Sequence, residues 1–198
     1  GEWVTLTGTD FGPADVMNVI HAVAVMPLAR VGSLGHLVEA QSCTVTQAHV
    51  RATCLSARGV GSHHRWNLTA GEQVSAPSVQ TTSYRAPEVL AVQLLVGDQR
   101  RRANSLNTSG GETLVLRGFN CGSVDPDGAN GTWNPVRATY QADQRGSLGL
   151  ADLVYDANQC AVTVNATEIE GLSAGGVGRD HRWAVTIGGQ TSNASRVT

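Results

Sequence analysis

The 198-residue sequence predicts an all-β chain, arranged as two antiparallel β-sandwiches joined in tandem. Three observations carry that expectation. A twelve-residue stretch, Leu55–Trp66 (LSARGVGSHHRW), returns 117 residues later as Leu172–Trp183 (LSAGGVGRDHRW). The apolar runs are short, rich in Val, Leu, Ile and Thr, and broken by Gly, Asn, Asp and Ser clusters, as in antiparallel sandwiches. No long stretch of helical periodicity competes with them.

The repeat comes first, because overlooking it misreads the whole fold. Cys43–Thr46 (CTVT) recurs at Cys160–Thr163 (CAVT), again 117 residues on. Gly1-Glu2 with Leu6, Gly8 and Gly12 recurs as Gly111-Glu112 with Leu116, Gly118 and Gly122 at an offset of 110, so the second copy carries seven extra residues in between. Gly32–Gly35 (GSLG) recurs at Gly146–Gly149. The unit opens at Ala86-Pro87-Glu88-Val89, which leaves the first copy, 1–85, without its opening strand. The second copy, 86–198, stops at Thr198, the match of Thr81, short of its last residues. The chain is therefore expected to be a piece of a longer array.

Taken along the chain, Pro13–Ile20 is the first of two short helical candidates. Trp66 and Leu68 alternate onto one face of a strand. Tyr84 closes the first unit and Pro87 opens the second. Arg85 and Ala86 alone lie between them, and Pro87 biases Ala86 toward an extended conformation, so a nearly continuous strand and an end-to-end junction are expected. Val89–Val96 and Thr113–Arg117 read as strands, and Leu150–Asn158 as the second helical candidate. Cys160–Val164 is a strand with Cys160, Val162 and Val164 on one side, and Arg182–Ile187 is a strand turning Trp183, Val185 and Ile187 inward.

Composition narrows the function. The chain is 41% hydrophobic and 15% charged, with a formal charge of −2. That balance excludes the concentrated cationic face that nucleic-acid binding or a polybasic membrane contact requires. All 14 basic residues are Arg, which reflects the source's codon usage more than its chemistry. No window reaches the roughly 20 apolar residues of a membrane helix and no leader opens the chain, so no membrane insertion by this segment is expected.

Four features in order, Thr5–Gly12 (TLTGTDFG), Cys43 with Cys54, Gly59-Val60-Gly61 and Trp183–Ser192 (WAVTIGGQTS), resemble the IPT/TIG domain. That domain is an immunoglobulin-like β-sandwich of plexins, fibrocystin-like ciliary and cell-surface proteins, bacterial adhesins and some starch-acting enzymes. The resemblance spans nearly the whole chain, twice, and implies a Cys43–Cys54 disulfide. The second copy departs from it, with Cys121 in place of Phe11 and Gly171 in place of Cys54.

Four cysteines in such a chain point to an oxidising compartment. A Cys43–Cys54 bridge would restrict the unfolded chain by roughly 2.5 to 3 kcal/mol on the loop-entropy model. Cys121 and Cys160 have two open readings, a second bridge across the core or two buried thiols. Zinc would need clustered ligands. There is no C-x-x-C, and neighbouring His63 and His64 face opposite ways on a strand, so they and His181 read as ordinary surface or turn histidines and no metal is expected.

Five sequons, at Asn67, Asn107, Asn130, Asn165 and Asn193, make a glycosylated surface an expectation. Asn67 lies between Trp66 and Leu68, and Asn165 follows Val164, so alternation turns both outward. Asn130 and Asn193 also suit plain turns.

Catalytic residues are not expected. No Gly-x-Ser-x-Gly elbow, paired carboxylates or phosphate loop is present, and no cofactor is implied. Asp125–Asn130 is rich in oxygen ligands but lacks the later Glu of a calcium loop and reads as an Asx-held turn. Arg100-Arg101-Arg102 reads as a solvated loop. Of the four tryptophans, Trp66 and Trp183 belong to the core, and Trp133, unmatched in the first copy, is the candidate ligand contact.

The expected function is a non-catalytic structural or adhesive module of a secreted or cell-surface glycoprotein, with a ciliary surface admitted by the resemblance. Its partners would be other repeats of the same chain and surface proteins or glycans, met through the divergent segments 13–41 and 120–159. The alternative is a carbohydrate-binding accessory module of a larger secreted enzyme.

Overall fold

The computed structural model describes residues 1–14, 20–25, 37–124, 136–142 and 153–195. The Pro13–Ile20 candidate falls largely outside these residues. So do both Gly-Ser-Leu-Gly motifs, the Asp125–Asn130 loop, Asn130 and Trp133. All regular structure among the described residues is β-strand, and every pairing is antiparallel. The chain divides into two compact units, Gly1–Tyr84 and Arg85–Thr198.

Unit 1 holds β1 (Trp3–Thr7), β2 (His21–Val25), β3 (Leu37–Glu39), β4 (Gln41–Gln47), β5 (Arg51–Leu55), β6 (Arg65–Ala70) and β7 (Gln73–Val74). They form two sheets, β1-β5-β4 and β3-β2-β6-β7. The apolar core lies between them, with Ala22, Ala24, Val38 and Trp66 meeting Val4, Leu6, Cys43 and Cys54.

Unit 2 opens with β8 (Glu88–Val96) and β9 (Gln99–Arg102), which match no strand among the described residues of unit 1. There follow β10 (Thr113–Phe119), β11 (Val136–Ala142), β12 (Val154–Asp156), β13 (Asn158–Val164), β14 (Glu168–Leu172), β15 (His181–Ile187) and β16 (Gln190–Thr191). Its sheets are β13-β14-β10-β8-β9 and β12-β11-β15-β16. Apart from the added hairpin, these are the unit 1 sheets again. The repeat also places the insertion. Ala24 pairs with Trp66 and Tyr140 with Trp183, so the first pair of equivalents is 116 apart, whereas Val38 and Tyr155 are 117 apart. Six of the seven extra residues therefore precede β11, and one lies between β11 and β12.

The likeness extends to the backbone. Asp10, Ser42, His49 and His63 have positive φ, and so do their equivalents Asn120, Gln159, Ala166 and Asp180. A left-handed residue that is not glycine is strained unless its surroundings impose it, so the same turns are imposed twice. Serine hydroxyls recur too. Ser75 and Ser78 accept the N–H of Leu68 and Trp66 at 2.9 Å each. Ser192 and Ser195 accept those of Val185 and Trp183 at 2.9 and 3.0 Å. Beyond the short β7 and β16, strands β6 and β15 thus gain partners for buried backbone donors that would otherwise be costly.

Alternation holds on β15, where Trp183, Val185 and Ile187 are buried, and on β6 with Trp66 and Leu68. Three sequence expectations are corrected. Leu153–Asn158 is not helical: Val154–Asp156 is β12 and Asn158 begins β13, because Val154 and Tyr155 find ladder partners on β11. Val164 is exposed rather than inward, since the β13–β14 register shifts between Val162 and Val164 and reverses the side-chain alternation. The junction is not a continuous strand, as residues 83–87 belong to no strand and β8 starts at Glu88.

Candidate functional site

The most elaborate cluster lies in unit 2, where three strands bring an aromatic row to one sheet face. Antiparallel register sets Tyr140 of β11 opposite both Trp183 of β15 and Tyr155 of β12. Cross-strand neighbours of this kind pack ring on ring. Tyr140 stacks on Trp183 at 4.2 Å between centroids and lies 5.2 Å from Tyr155. His181, two residues before Trp183 and so on the same face, sets its edge against Tyr140 at 5.3 Å and Tyr155 at 6.0 Å.

The phenols anchor the neighbouring loop. Tyr140 donates to the Ala174 carbonyl at 2.9 Å, and Tyr155 to the Val177 carbonyl at 3.0 Å. Burial raises the Tyr140 pKa, which keeps its phenol a donor. Gly176 must be glycine, because a Cβ there would fall 2.5 Å from the Tyr155 ring. A second loop is fixed opposite. The Asn107 side-chain oxygen accepts the N–H and hydroxyl of Ser109 at 3.1 and 2.9 Å, and the Thr108 carbonyl accepts the Gly176 N–H at 2.9 Å. Between the two loops is a cleft of about 270 Å³, whose walls include Arg102, Asn104, Thr108, Arg179, Asp180 and His181. An aromatic floor under a polar rim binds by stacking and by directional hydrogen bonds.

Unit 1 solves the same position differently. There Ala24 and Val38 stand where Tyr140 and Tyr155 do. The ring is supplied by Tyr84, which donates to the Ala57 carbonyl at 2.8 Å and lies edge-on to His64 at 5.3 Å. Gly59, the equivalent of Gly176, makes room for it.

The other expected site residues are dispersed. Cys43 and Cys54 are joined by a disulfide between β4 and β5. Cys121 and Cys160 are free thiols, so the bridge weighed for them does not form. The Cys160 sulfur turns to the carbonyl of Ala157 at 3.5 Å and fills the space over Gly171, where a Cβ would fall 2.7 Å from it. Cys121 is buried, its sulfur 3.7 Å from the Phe119 carbonyl. Burial pushes both thiols up, Cys121 to about 11, so neither is a ready thiolate.

Asn107, Asn165 and Asn193 are exposed and Asn67 is half-buried. The Asn67 amide donates to the Ser75 carbonyl at 2.9 Å, and Asn165 accepts the Val124 N–H at 2.8 Å. Arg100, Arg101 and Arg102 form part of a strand, not a loop. Arg100 grips the Glu168 carboxylate at 2.8 and 2.9 Å, and Arg117 approaches it at 3.1 Å. The hydrogen bonds from Arg100 hold the Glu168 pKa below the usual carboxylate value. His63 is exposed as expected, but His64 is buried against the Tyr84 ring and is no surface histidine, because Tyr84 closes over it. Among the described residues no three His, Cys, Asp or Glu side chains are grouped to hold a metal ion. Trp3, 65% exposed, is an accessible aromatic that the repeat did not single out.

Alternation placed Trp183 inward from the sequence, whereas His181 was expected at the surface or in a turn and instead joins the same face at the start of β15. The two tyrosines that complete the floor lie where the copies diverge, so no repeat signal marked them. No family model, curated protein or solved structure matches the chain.

Proposed function

We propose that the chain is a non-catalytic structural and adhesive module, two immunoglobulin-like sandwiches of the IPT/TIG kind from a secreted or cell-surface glycoprotein. The observation that carries this reading is what the two units share. Their common residues are turn formers with positive φ, serines that hold strand N–H groups, and the His-x-Trp pair. These groups maintain a frame. Side chains projecting into the cleft differ between units, as expected when one frame presents variable surfaces.

The Cys43–Cys54 disulfide supports an oxidising compartment. Exposed Asn107, Asn165 and Asn193 support a glycan-bearing surface, and a glycan on Asn107 would stand at the rim of the cleft. Partners would then be surface proteins, glycans or further repeats. Mass spectrometry of protein secreted by eukaryotic cells tests this. Glycans on at least one exposed sequon and an intact Cys43–Cys54 bridge are expected. Retention in the cytosol with both cysteines alkylatable would overturn it.

A further inference from the structure

Both units turn in the same way between two neighbouring strands, at residues 48–50 between β4 and β5 and at 165–167 between β13 and β14. The Ala166 N–H donates to the Gly122 carbonyl at 2.6 Å and the Gly118 N–H to the Thr167 carbonyl at 2.9 Å. The equivalent bonds of unit 1, from His49 to Gly12 and from Gly8 to Val50, are 2.7 and 3.0 Å long. One backbone thus carries two sets of side chains. Unit 2 places Phe119, Val164, Asn165 and Thr167 where unit 1 has Thr9, Gln47, Ala48 and Val50. Phe119 is 54% and Val164 45% exposed, whereas the exposed residues at those positions in unit 1 are polar. The sequon at Asn165 and the exposed apolar pair beside it therefore occur in the same copy, and the other copy has neither. Strand register puts the pair on one face. Glu168 lies opposite Arg117 on one side and Val164 on the other, and Phe119 is two residues on from Arg117. In the turn between them the Asn165 side-chain oxygen accepts the Val124 N–H at 2.8 Å, which fixes the carboxamide, while its amide nitrogen donates to nothing among the described residues. Other sequons are less open. The Asn67 amide is held by the Ser75 carbonyl at 2.9 Å, and the sequon hydroxyl of Asn193, on Ser195, is buried against the Trp183 N–H at 3.0 Å.

We infer that Asn165 carries an N-linked glycan whose first N-acetylglucosamine lies over Phe119 and Val164, so that this sugar is a structural part of unit 2. The chemistry is complementary. One face of the sugar ring is lined by C–H groups and its acetyl group ends in a methyl, and both pack against the face of an aromatic ring. Covering Phe119 and Val164 takes their apolar surface out of water. The sugar is tethered within one residue of Val164, so it covers the patch without the entropy cost that a free ligand meets. Unit 1, with Thr9 and Gln47 at these positions, has no such surface to cover and no sequon to cover it with. The inference rests on the glycoprotein reading and deepens it, naming one site and what its glycan does there.

The chain secreted by eukaryotic cells can be compared with the same chain from a bacterial periplasm, where the disulfide forms but no such glycan is added. Glycopeptide mapping of the secreted chain should find Asn165 occupied. Phe119→Thr, which installs the unit 1 residue at an exposed position, should lower the unit 2 melting transition of the secreted chain by about 4 °C, the scale of one aromatic contact in a domain of this size. In the periplasmic chain the same substitution should move it by about 1 °C or less. Thr167→Ala, which removes the sequon and keeps the Asn165 carboxamide, should make the secreted chain equally indifferent to Phe119→Thr. A bare Asn165 beside another occupied sequon, or a Phe119→Thr shift of the same size with and without the glycan, would overturn the inference and leave the glycoprotein reading standing. Absence of a glycan from every sequon of the secreted chain would overturn both.

Discussion

The two units build one frame from different resources. In unit 2, β10 lies between β8 and β14, and Leu114 and Leu116 are 0% and 1% exposed. In unit 1 the equivalent β1 pairs with β5 among the described residues, and Val4 and Leu6 are half-buried. At one and the same strand pair unit 1 carries the Cys43–Cys54 disulfide, and unit 2 has Gly171 where Cys54 stands and a thiol over it. A bridge acts by restricting the unfolded chain, whereas a packed thiol only fills space, so one frame is tied at this position by a covalent link in one copy and by packing in the other.

The largest expected effect breaks that comparison. Cys54→Ser should destabilise unit 1 by about 3 kcal/mol, the loop-entropy value for a short loop, and leave unit 2 unchanged. Calorimetry with and without reductant should show one transition that moves and one that does not. Movement of both would mean that the bridge does not act on unit 1 alone. The converse substitution sharpens the point. Gly171→Cys should pair with Cys160, whose sulfur already lies at bonding range, and stabilise unit 2 by about 2 kcal/mol. Peptide mapping should recover the new bridge, and an introduced thiol that stays alkylatable would refute the equivalence of the two sites.

Glu168 distinguishes the units electrostatically, since its equivalent in unit 1 is Arg51. Glu168→Gln should cost unit 2 about 2 kcal/mol at neutral pH, the scale of hydrogen bonds to a charged group. The carboxylate's pKa is lowered on folding, so its stabilisation is present above the unfolded value of about 4.3 and is lost as the pH falls through the folded value. The acid limb of unit 2 unfolding should therefore flatten in the variant, and an unchanged limb would assign acid sensitivity to other groups. The smallest effects test what is common. Ser78→Ala and Ser195→Ala each remove the acceptor for a tryptophan N–H and should cost about 1 kcal/mol in their own unit, equally, as followed by denaturant titration.

How far the chain was legible varied with the range of the interactions involved. Trp183, Val185 and Ile187 were assigned inward from alternation alone, because the pleat converts sequence parity into direction. Val164 failed the same rule because a bulge consumed one residue. The helix expected at Leu150–Asn158 gives way to strand from Val154 on, because β12 forms only against β11, a partner that precedes it across an intervening segment. For the cleft, His181 and Trp183 were marked by the repeat. Tyr140 and Tyr155 were not, since they replace Ala24 and Val38 and do the work of a tyrosine that unit 1 takes from its closing segment.

By itself, the sequence determined the duplication, the all-β character, and the turns and serines that recur at fixed spacing, because each depends on local backbone chemistry or on short-range periodicity. Tertiary structure alone decided which aromatic fills the slot over Gly59 or Gly176, where the Cys160 thiol turns, and that an arginine of the exposed run is committed to buried Glu168. Each of these depends on which distant strands share an edge, and strand adjacency is settled by the packing of the whole unit rather than by any segment's own propensity.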